Sequence, residues 1–436
     1  MTHTPELVAL LYGQRVATIR TLASGRHELE YETSWMESQD SHPLSLSMPL
    51  AASRHPHKAV NAFLWGLLPD NTETLKRYAR RFSVSENNAA ALLTHLGADC
   101  PGALQLVPPE RVDEFRNGSS EIEAEWMSEG DIEAELTALR QTGLPLEHQD
   151  HGGQFSLAGA QPKIALLRHE GRWGRPSGRT PTTHILKPPA SEYPRFAENE
   201  HLCLQVARAL ELPAARSSVA RFRNEHAIVV ERYDRRFENG TYTRIHQEDL
   251  CQALNVHPEN KYENQGGPGL KEIFRLLSQA SLEPATDRRV LLDAIILNWI
   301  FAATDAHAKN FSLIHHAGGG VRLAPLYDVI SFLPYASGSE LHGVTLAMRI
   351  HNEYEVRRIT ARDWLRFAKS VGCAEDEVVG RLRDLLRRTP DATREAARRA
   401  IEDGLDAAWI ESFASTIVAH ADRCAKWIET GLSANT

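Results

Sequence analysis

The chain has 436 residues, more than one core usually organises, so two or three domains are expected. Hydrophobic residues make up 42% and charged residues 24%, a globular balance, and the formal net charge of -8 argues against a dedicated nucleic-acid coat while leaving room for a local basic face. No apolar run reaches the roughly eighteen residues of a membrane span, and no basic start leads into an apolar run with a small-residue cleavage site, so a cytoplasmic protein without membrane contact is expected. The five cysteines are scattered and form no C-x-x-C pair, which reads as buried thiols.

Residues 6–32 alternate apolar and polar positions around Gly13-Gln14 and Gly25-Arg26, the pattern of a small antiparallel meander. Val60 to Phe82 carries an apolar face at Val60, Phe63, Leu64, Leu67 and Leu68, and Pro69 with Asp70-Asn71 divides it into two helices. An alanine-rich helix follows over Asn87–Leu96. From Pro108 to Gly130 the chain turns polar and acidic around Gly118-Ser119-Ser120, which reads as a surface connection. The expected boundaries are an N-terminal subdomain over 1–108, an acidic connecting segment over 109–149, a small lobe over 150–235 and a helical lobe over 236–436.

Within the small lobe, Phe155 to Lys163 is a small-residue loop followed by the strand Ile164-Ala165-Leu166-Leu167. Small side chains let backbone approach an anion, so Ala158, Gly159, Ala160, Gln161, Pro162 and Lys163 are candidates for covering phosphates, although the loop matches neither common glycine-rich phosphate pattern. The strand Thr182 to Lys187 ends in a lysine and is stopped by Pro188-Pro189. Lys187 is thus placed as a point charge for phosphates, with Glu200 on the next helix as its partner. The β-branched strand from Ala227 runs into Glu231, Arg232 and Tyr233, whose backbone is the natural edge for adenine.

Asp287 to Ala303 is apolar on most faces and reads as a buried helix. Directly after it, Asp305 and Asn310 stand five positions apart, the spacing of a kinase catalytic loop, in which the Asp accepts the proton of the attacking hydroxyl and the Asn holds a metal on the nucleotide phosphates. Leu323 to Ile330 reads as a buried strand whose lone carboxylate, Asp328, stands where that template has its second metal ligand.

With these residues in view the chain resembles the HipA-like serine/threonine kinase toxins of type II toxin–antitoxin pairs over nearly its whole length. The resemblance is carried by Pro43-Leu44-Ser45-Leu46-Ser47, Leu67-Leu68-Pro69-Asp70, Ser156 to Lys163, Thr182 to Lys187, Val230 to Asp234, Gln247-Glu248-Asp249, Gly266-Gly267-Pro268-Gly269, Ala303 to Asn310 and Tyr327-Asp328. It departs at Pro162, where a glutamate is common, which bears on that side chain and not on the loop backbone.

The resemblance implies an α+β, two-lobed protein-kinase-like fold with a small α/β lobe, a mainly α-helical large lobe and an extra N-terminal subdomain. It implies ATP and Mg2+ as cofactors, Asp305 as base, and Asn310 and Asp328 as metal ligands. Lys187, the backbone of Ala158 to Lys163, Glu231 to Tyr233, His307, Ala308, Lys309, Asn310, Tyr327 and Asp328 would hold the nucleotide. Ser156 would be a self-phosphorylated switch. The implied partners are a HipB-like DNA-binding antitoxin, operator DNA through that complex, and a protein substrate such as an aminoacyl-tRNA synthetase, glutamate–tRNA ligase foremost. Arg357 and Arg358, in an apparent loop, would touch DNA phosphates, whereas the arginines from Arg381 to Arg399 read as a solvated helical face with pairs such as Asp384 and Arg388. The alternatives are a small-molecule or lipid kinase on the same scaffold, or a catalytically idle corepressor.

Overall fold

Asn71 and Asn88 each begin a helix by turning a side-chain oxygen onto the N–H three residues ahead, which satisfies one donor that the first turn leaves unpaired. In the computed structural model, which describes residues 6–116, 122–146, 158–189, 193–336 and 341–433, these caps start the helices Thr72–Phe82 and Ala89–Leu96, and the expected preceding helix is His57–Leu67. Their apolar sides bury Phe63, Leu64, Leu92 and Leu93 against an antiparallel sheet. The sheet is the expected meander, Glu6–Leu11, Gln14–Thr21 and His27–Tyr31, flanked by Leu104–Val107 and the short Arg54–His55.

The chain divides into two units. The first comprises residues 1–191, 220–259 and 312–321, and the second 192–219, 260–311 and 322–436. A second sheet, all of it in the first unit but for residues 217–219, runs in the order Ser217–Phe222, Glu225–Glu231, His184–Lys187, Ile164–His169, Arg172–Pro176, Ala124–Met127. The stretch read as a bare surface connection therefore supplies an edge strand, Ala124–Met127, and then a helix, Glu129–Thr142, started by a capping box between Ser128 and Asp131. Ile132, Leu136 and Leu139 recur at helical spacing and bury against Ile164, Leu166 and Leu186. The acidic composition conceals this: most of the charges occupy the faces that those few apolar residues leave outside, while Glu135 is buried and paired with Arg175.

The first unit also contains a dense ionic cluster. Asp99 receives Arg235 at 2.9 Å, Arg244 at 3.0 Å and Arg232 at 3.3 Å, and the Arg232 guanidinium also reaches Asp234 at 2.8 Å. Burial pushes the Asp99 carboxyl up, but Arg235, Arg244 and Arg232 outweigh it and hold the group well below the usual carboxylate range.

The second unit is mainly helical: Phe196–Ala209, Leu270–Ala280, Pro284–Ile300, Ala361–Val371, Glu375–Glu402 and Ala407–Ser433. Pro284–Ile300 is buried from Leu291 to its end, as its all-round apolar sequence requires, and starts with a proline at the position where a missing N–H does least harm. It stops three residues before the expected Ala303 because Ala302 turns into the left-handed region, with φ of 49°. The strand expected over Leu323 to Ile330 does not form: the observed strand is Val321–Leu323. Pro325 cannot donate to a ladder, and Leu326 instead exchanges 2.8 Å hydrogen bonds with Pro213 and Ala215 as an isolated bridge.

Removing Asp99 leaves three guanidinium groups short of a buried counter-charge. Asp99→Ala is expected to lower stability by about 3–5 kcal/mol, read as a shifted urea midpoint at unchanged slope.

Candidate active site

The carbonyls at the end of helix Pro284–Ile300 have no partners within the helix, and two side chains from elsewhere in the second unit take them. His420 Nδ1 donates to Ile300 O at 2.8 Å and Ser331 Oγ donates to Phe301 O at 2.7 Å. With the helix end fixed, Ala303 N–H bonds back to Asn298 O at 2.8 Å and the chain emerges into the Asp305 loop. The Asp305 carbonyl organises that loop by accepting from His307 N–H and from Asn310 Nδ2, both at 2.8 Å.

Asn310 thereby commits its amide nitrogen to the loop, and its Oδ1 remains as a neutral oxygen donor. Asp305, Asn310, Tyr327 and Asp328 line one pocket, with Asn298, Phe311 and Leu326 among its other walls. The pocket's free space is about 20 Å³, room for one water-sized occupant. Two carboxylates and a carboxamide oxygen around such a space are hard oxygen ligands, the donor set that suits Mg2+. Asp328 takes a left-handed backbone with φ of 56°, which a residue with a Cβ adopts only under local constraint.

The Asp305 side chain is 56% exposed, and the Tyr262 hydroxyl donates to its Oδ1. His307 Nε2 lies 3.7 Å from the same oxygen, and the Tyr262 and His307 rings meet edge to face at 4.9 Å. Tyr262 is the functional candidate that sequence reasoning passed over. Its signal was the Gly266-Gly267-Pro268-Gly269 run just beyond it. A Cβ at Gly267 would stand 2.7 Å from Tyr262 O and collide with Asn260 O as well, so a side-chain-free residue is needed to fold this turn. His307, Ala308 and Lys309 are buried and do not line the pocket; Lys309 contributes its carbonyl, which accepts from Tyr327 Oη at 3.0 Å.

The other candidates for the nucleotide site lie in the first unit, except Glu200, which is buried on helix Phe196–Ala209 of the second. Lys187 ends its strand in a buried position, with Ile228 opposite it in the sheet. In the small-residue loop, Gly159 has φ of 106° and its carbonyl accepts from Asp70 N–H at 3.1 Å, while Gln161 Nε2 reaches Pro188 O at 2.9 Å. Lys163 Nζ folds back onto Ala158 O at 2.6 Å, across the place a Cβ of residue 159 would take. Of the residues expected to meet adenine, Glu231 is exposed, whereas the Arg232 side chain is spent on the ionic cluster and its N–H on Thr183 O at 2.9 Å. Ser156 lies outside the described residues.

Arg357 is exposed, and Arg358 is exposed but paired with Glu355 at 2.9 Å. The later arginines are paired as the helical-face reading expects. Arg381 holds Asp293 at 2.8 Å, Arg383 holds Glu429 at 2.7 Å, and Arg398 holds Glu395 at 2.9 Å.

Two family models match the chain: HipA N-terminal domain over residues 7–107 and HipA-like C-terminal domain over residues 155–395. A Sinorhizobium fredii protein named as an inferred kinase, Y4mE, is 37% identical over 396 residues, covering 90% of this chain and 91% of its own. The serine/threonine-protein kinase toxin HipA of Shewanella oneidensis is 29% identical over 382 residues, covering 84% and 83%. A solved structure of Shewanella oneidensis HipA, HipB and operator DNA superposes with a TM-score of 0.82 at 25% identity, over 97% of this chain and 98% of that one.

Gly267→Ala is expected to cost about 1–3 kcal/mol through overpacking, measured as a lower thermal midpoint, because its nearest neighbours are backbone atoms and cannot swing aside.

Proposed function

The chain belongs to the HipA family, and from that premise we propose that it is an ATP- and Mg2+-dependent serine/threonine protein kinase acting as the toxin of a toxin–antitoxin pair. The observation that carries the reading is the single pocket lined by Asp305, Asn310 and Asp328, three oxygen-bearing side chains in the order and spacing of a phosphotransfer site. The family's named kinase and the fold-wide match to it support the same conclusion.

Asp305 accepts the proton of the attacking hydroxyl. Its exposure leaves it open to a substrate, and the Tyr262 hydroxyl holds its other face by a charge-assisted hydrogen bond, which aims the carboxylate without neutralising it. Asn310 Oδ1 and the Asp328 carboxylate would hold magnesium, which supplies positive charge to the transferring phosphoryl group. Lys187 and the backbone of Ala158 to Lys163 contact the phosphates, and the backbone edge at Glu231 and Tyr233 takes adenine. Ser156, at the start of the phosphate loop, is the self-phosphorylation site: a phosphate there adds about -1.5 to -2 charges beside groups that receive a polyanion, and so switches the enzyme off.

The substrate is a translation-related protein, with glutamate–tRNA ligase the family's suggestion. The partner is a HipB-like antitoxin, with which the chain binds operator DNA and represses its own operon. A solved relative with HipB and operator DNA supports that assembly. Arg357 and Arg358 contact DNA phosphates in it.

Incubation with Mg-ATP is expected to add one phosphate at Ser156, seen by intact mass, and to transfer phosphate to an acceptor protein. Asp305→Asn and Asp328→Ala should each lower the rate about a hundredfold or more, and full activity in either would refute the assigned roles. Charge reversal at Arg357 and Arg358 should weaken the antitoxin complex on operator DNA and flatten its salt dependence, while unchanged affinity would remove DNA contact from these residues.

A further inference from the structure

Asn199 has no part in the site described so far, yet it is fully buried and turns both ends of its carboxamide onto one other residue's backbone. Its Nδ2 donates to Ser331 O at 2.8 Å, and Ser331 N–H donates to its Oδ1 at 3.0 Å, so the side chain imitates one rung of a β-ladder. Nδ2 also reaches Tyr335 Oη at 3.2 Å, and Cys203 Sγ donates to Oδ1 at 3.3 Å. A buried asparagine can be merely satisfied. What sets this one apart is where Ser331 leads.

Ser331 is fully buried, three residues after Asp328, and its hydroxyl caps Phe301 O at 2.7 Å, four residues before Asp305. The loop bearing Asp328, the helix end that launches the Asp305 loop and the helix Phe196–Ala209 are thus tied at one point of the second unit. Asp328 itself sits in a left-handed conformation, with φ of 56°, which a residue with a Cβ keeps where its surroundings hold it. Between Asp328 and the first firm anchor after it there are only Val329 and Ile330.

We propose that Asn199 is a positioning residue for the metal-binding pair: by fixing Ser331 it holds Asp328 in its left-handed turn and in register with the Asp305–Asn310 loop, and so sets the affinity of the site for Mg2+. The inference rests on the reading of Asp328 and Asn310 as magnesium ligands. Asn199 touches neither nucleotide nor metal in this scheme and acts through Ser331 alone. Tyr335 and Cys203 make the carboxamide's remaining contacts and keep it from rotating away.

Three measurements on the full-length protein test it. The first is amide hydrogen exchange of residues 328–331 without nucleotide, which Asn199→Ala should speed at least tenfold while exchange in the meander over 6–31 stays unchanged. The second is the Mg2+ concentration giving half of the ATP-dependent thermal stabilisation, which should rise about tenfold to a hundredfold in Asn199→Ala, the usual effect of removing an outer-shell partner of a metal ligand. The third is that concentration in Ser331→Ala, which keeps both backbone bonds to Asn199 and loses the hydroxyl's bonds to Phe301 O and Leu333 N–H; it should rise by less than in Asn199→Ala. Asn199→Ala with wild-type exchange at 328–331 and a wild-type Mg2+ midpoint would overturn the proposal, whatever its melting temperature. Should Asn199→Ala fail to fold, the near-isosteric Asn199→Asp, which keeps an oxygen for Ser331 N–H and loses the donor to Ser331 O, takes its place, and wild-type exchange at 328–331 with a wild-type Mg2+ midpoint in that variant would overturn the proposal. A wild-type protein that ATP stabilises equally with and without Mg2+ would instead refute the metal-site reading, and the exchange measurement would still decide whether Asn199 holds the loop.

Discussion

The last carbonyls of helix Pro284–Ile300 are the constraint on which the second unit depends. A helix buried on every face cannot let water satisfy its C-terminal oxygens, so donors must come from the protein, and each donor ties down the segment that carries it. Ser331 brings the loop after Asp328, and His420 brings helix Ala407–Ser433. Burial lowers the His420 imidazole to about 4, so the ring is neutral near neutrality and keeps its Nδ1 proton as the donor that Ile300 O needs. The site is precise because a helix end had to be satisfied. Chemistry placed on such a junction inherits its rigidity.

The first unit solves a different problem with charge. Three arginines and two aspartates are buried together, and Thr182 completes the cluster with its hydroxyl 2.6 Å from Asp99. The contributing residues are far apart in sequence: Asp99 from the meander's subdomain, Thr182 from just ahead of strand His184–Lys187, and Arg232, Asp234 and Arg235 from the turn where adenine is proposed to sit. Desolvating five charges is costly, and such a cluster contributes specificity more than net stability, since only one mutual arrangement of these segments satisfies all of them. The fully buried Glu248 acts in the same way, accepting from Leu46 N–H and lying against His315 Nε2, both at 2.8 Å. Motifs that look unrelated along the chain are the two halves of one contact.

That explains what could be read from the sequence. Local devices were legible: Pro69 and Asn71 as a helix break, the meander's alternation, the apolar stretch that becomes Pro284–Ile300, and the spacing of Asp305 and Asn310. Each depends on neighbours a few residues away. Ala124–Met127 was not legible, because an edge strand with exposed Glu125 and Trp126 takes its identity from pairing with Arg172–Pro176. Asp328 was assigned to a strand because its apolar neighbours suggest one. Pro325 and the bridge of Leu326 to Ala214 decide otherwise, and the second of these is a tertiary fact. Tyr262 and Asn199 were missed for the same reason, since a tyrosine or an asparagine acquires meaning only from what lies across from it.

The arginines show how far composition can mislead about partners. A run from Arg381 to Arg399 in a chain of net charge -8 invites a nucleic-acid face. Arg381, Arg383, Arg387, Arg388, Arg394, Arg398 and Arg399 all have carboxylate partners within the second unit, most of them three or four residues away or on a facing helix. Exposed pairs of this kind are weak, around 0–1 kcal/mol, so they do not lock the helix Glu375–Glu402 in place. They do cancel its field beyond about a Debye length of 8–10 Å, and a polyanion approaching that helix meets little net charge. Arg357 differs in kind, since it is exposed on a turn and has no ion partner among the described residues. Free positive charge is therefore a property of placement and not of arginine count: Arg357, at the turn after strand Glu353–Glu355, offers it where the helix richest in arginine does not.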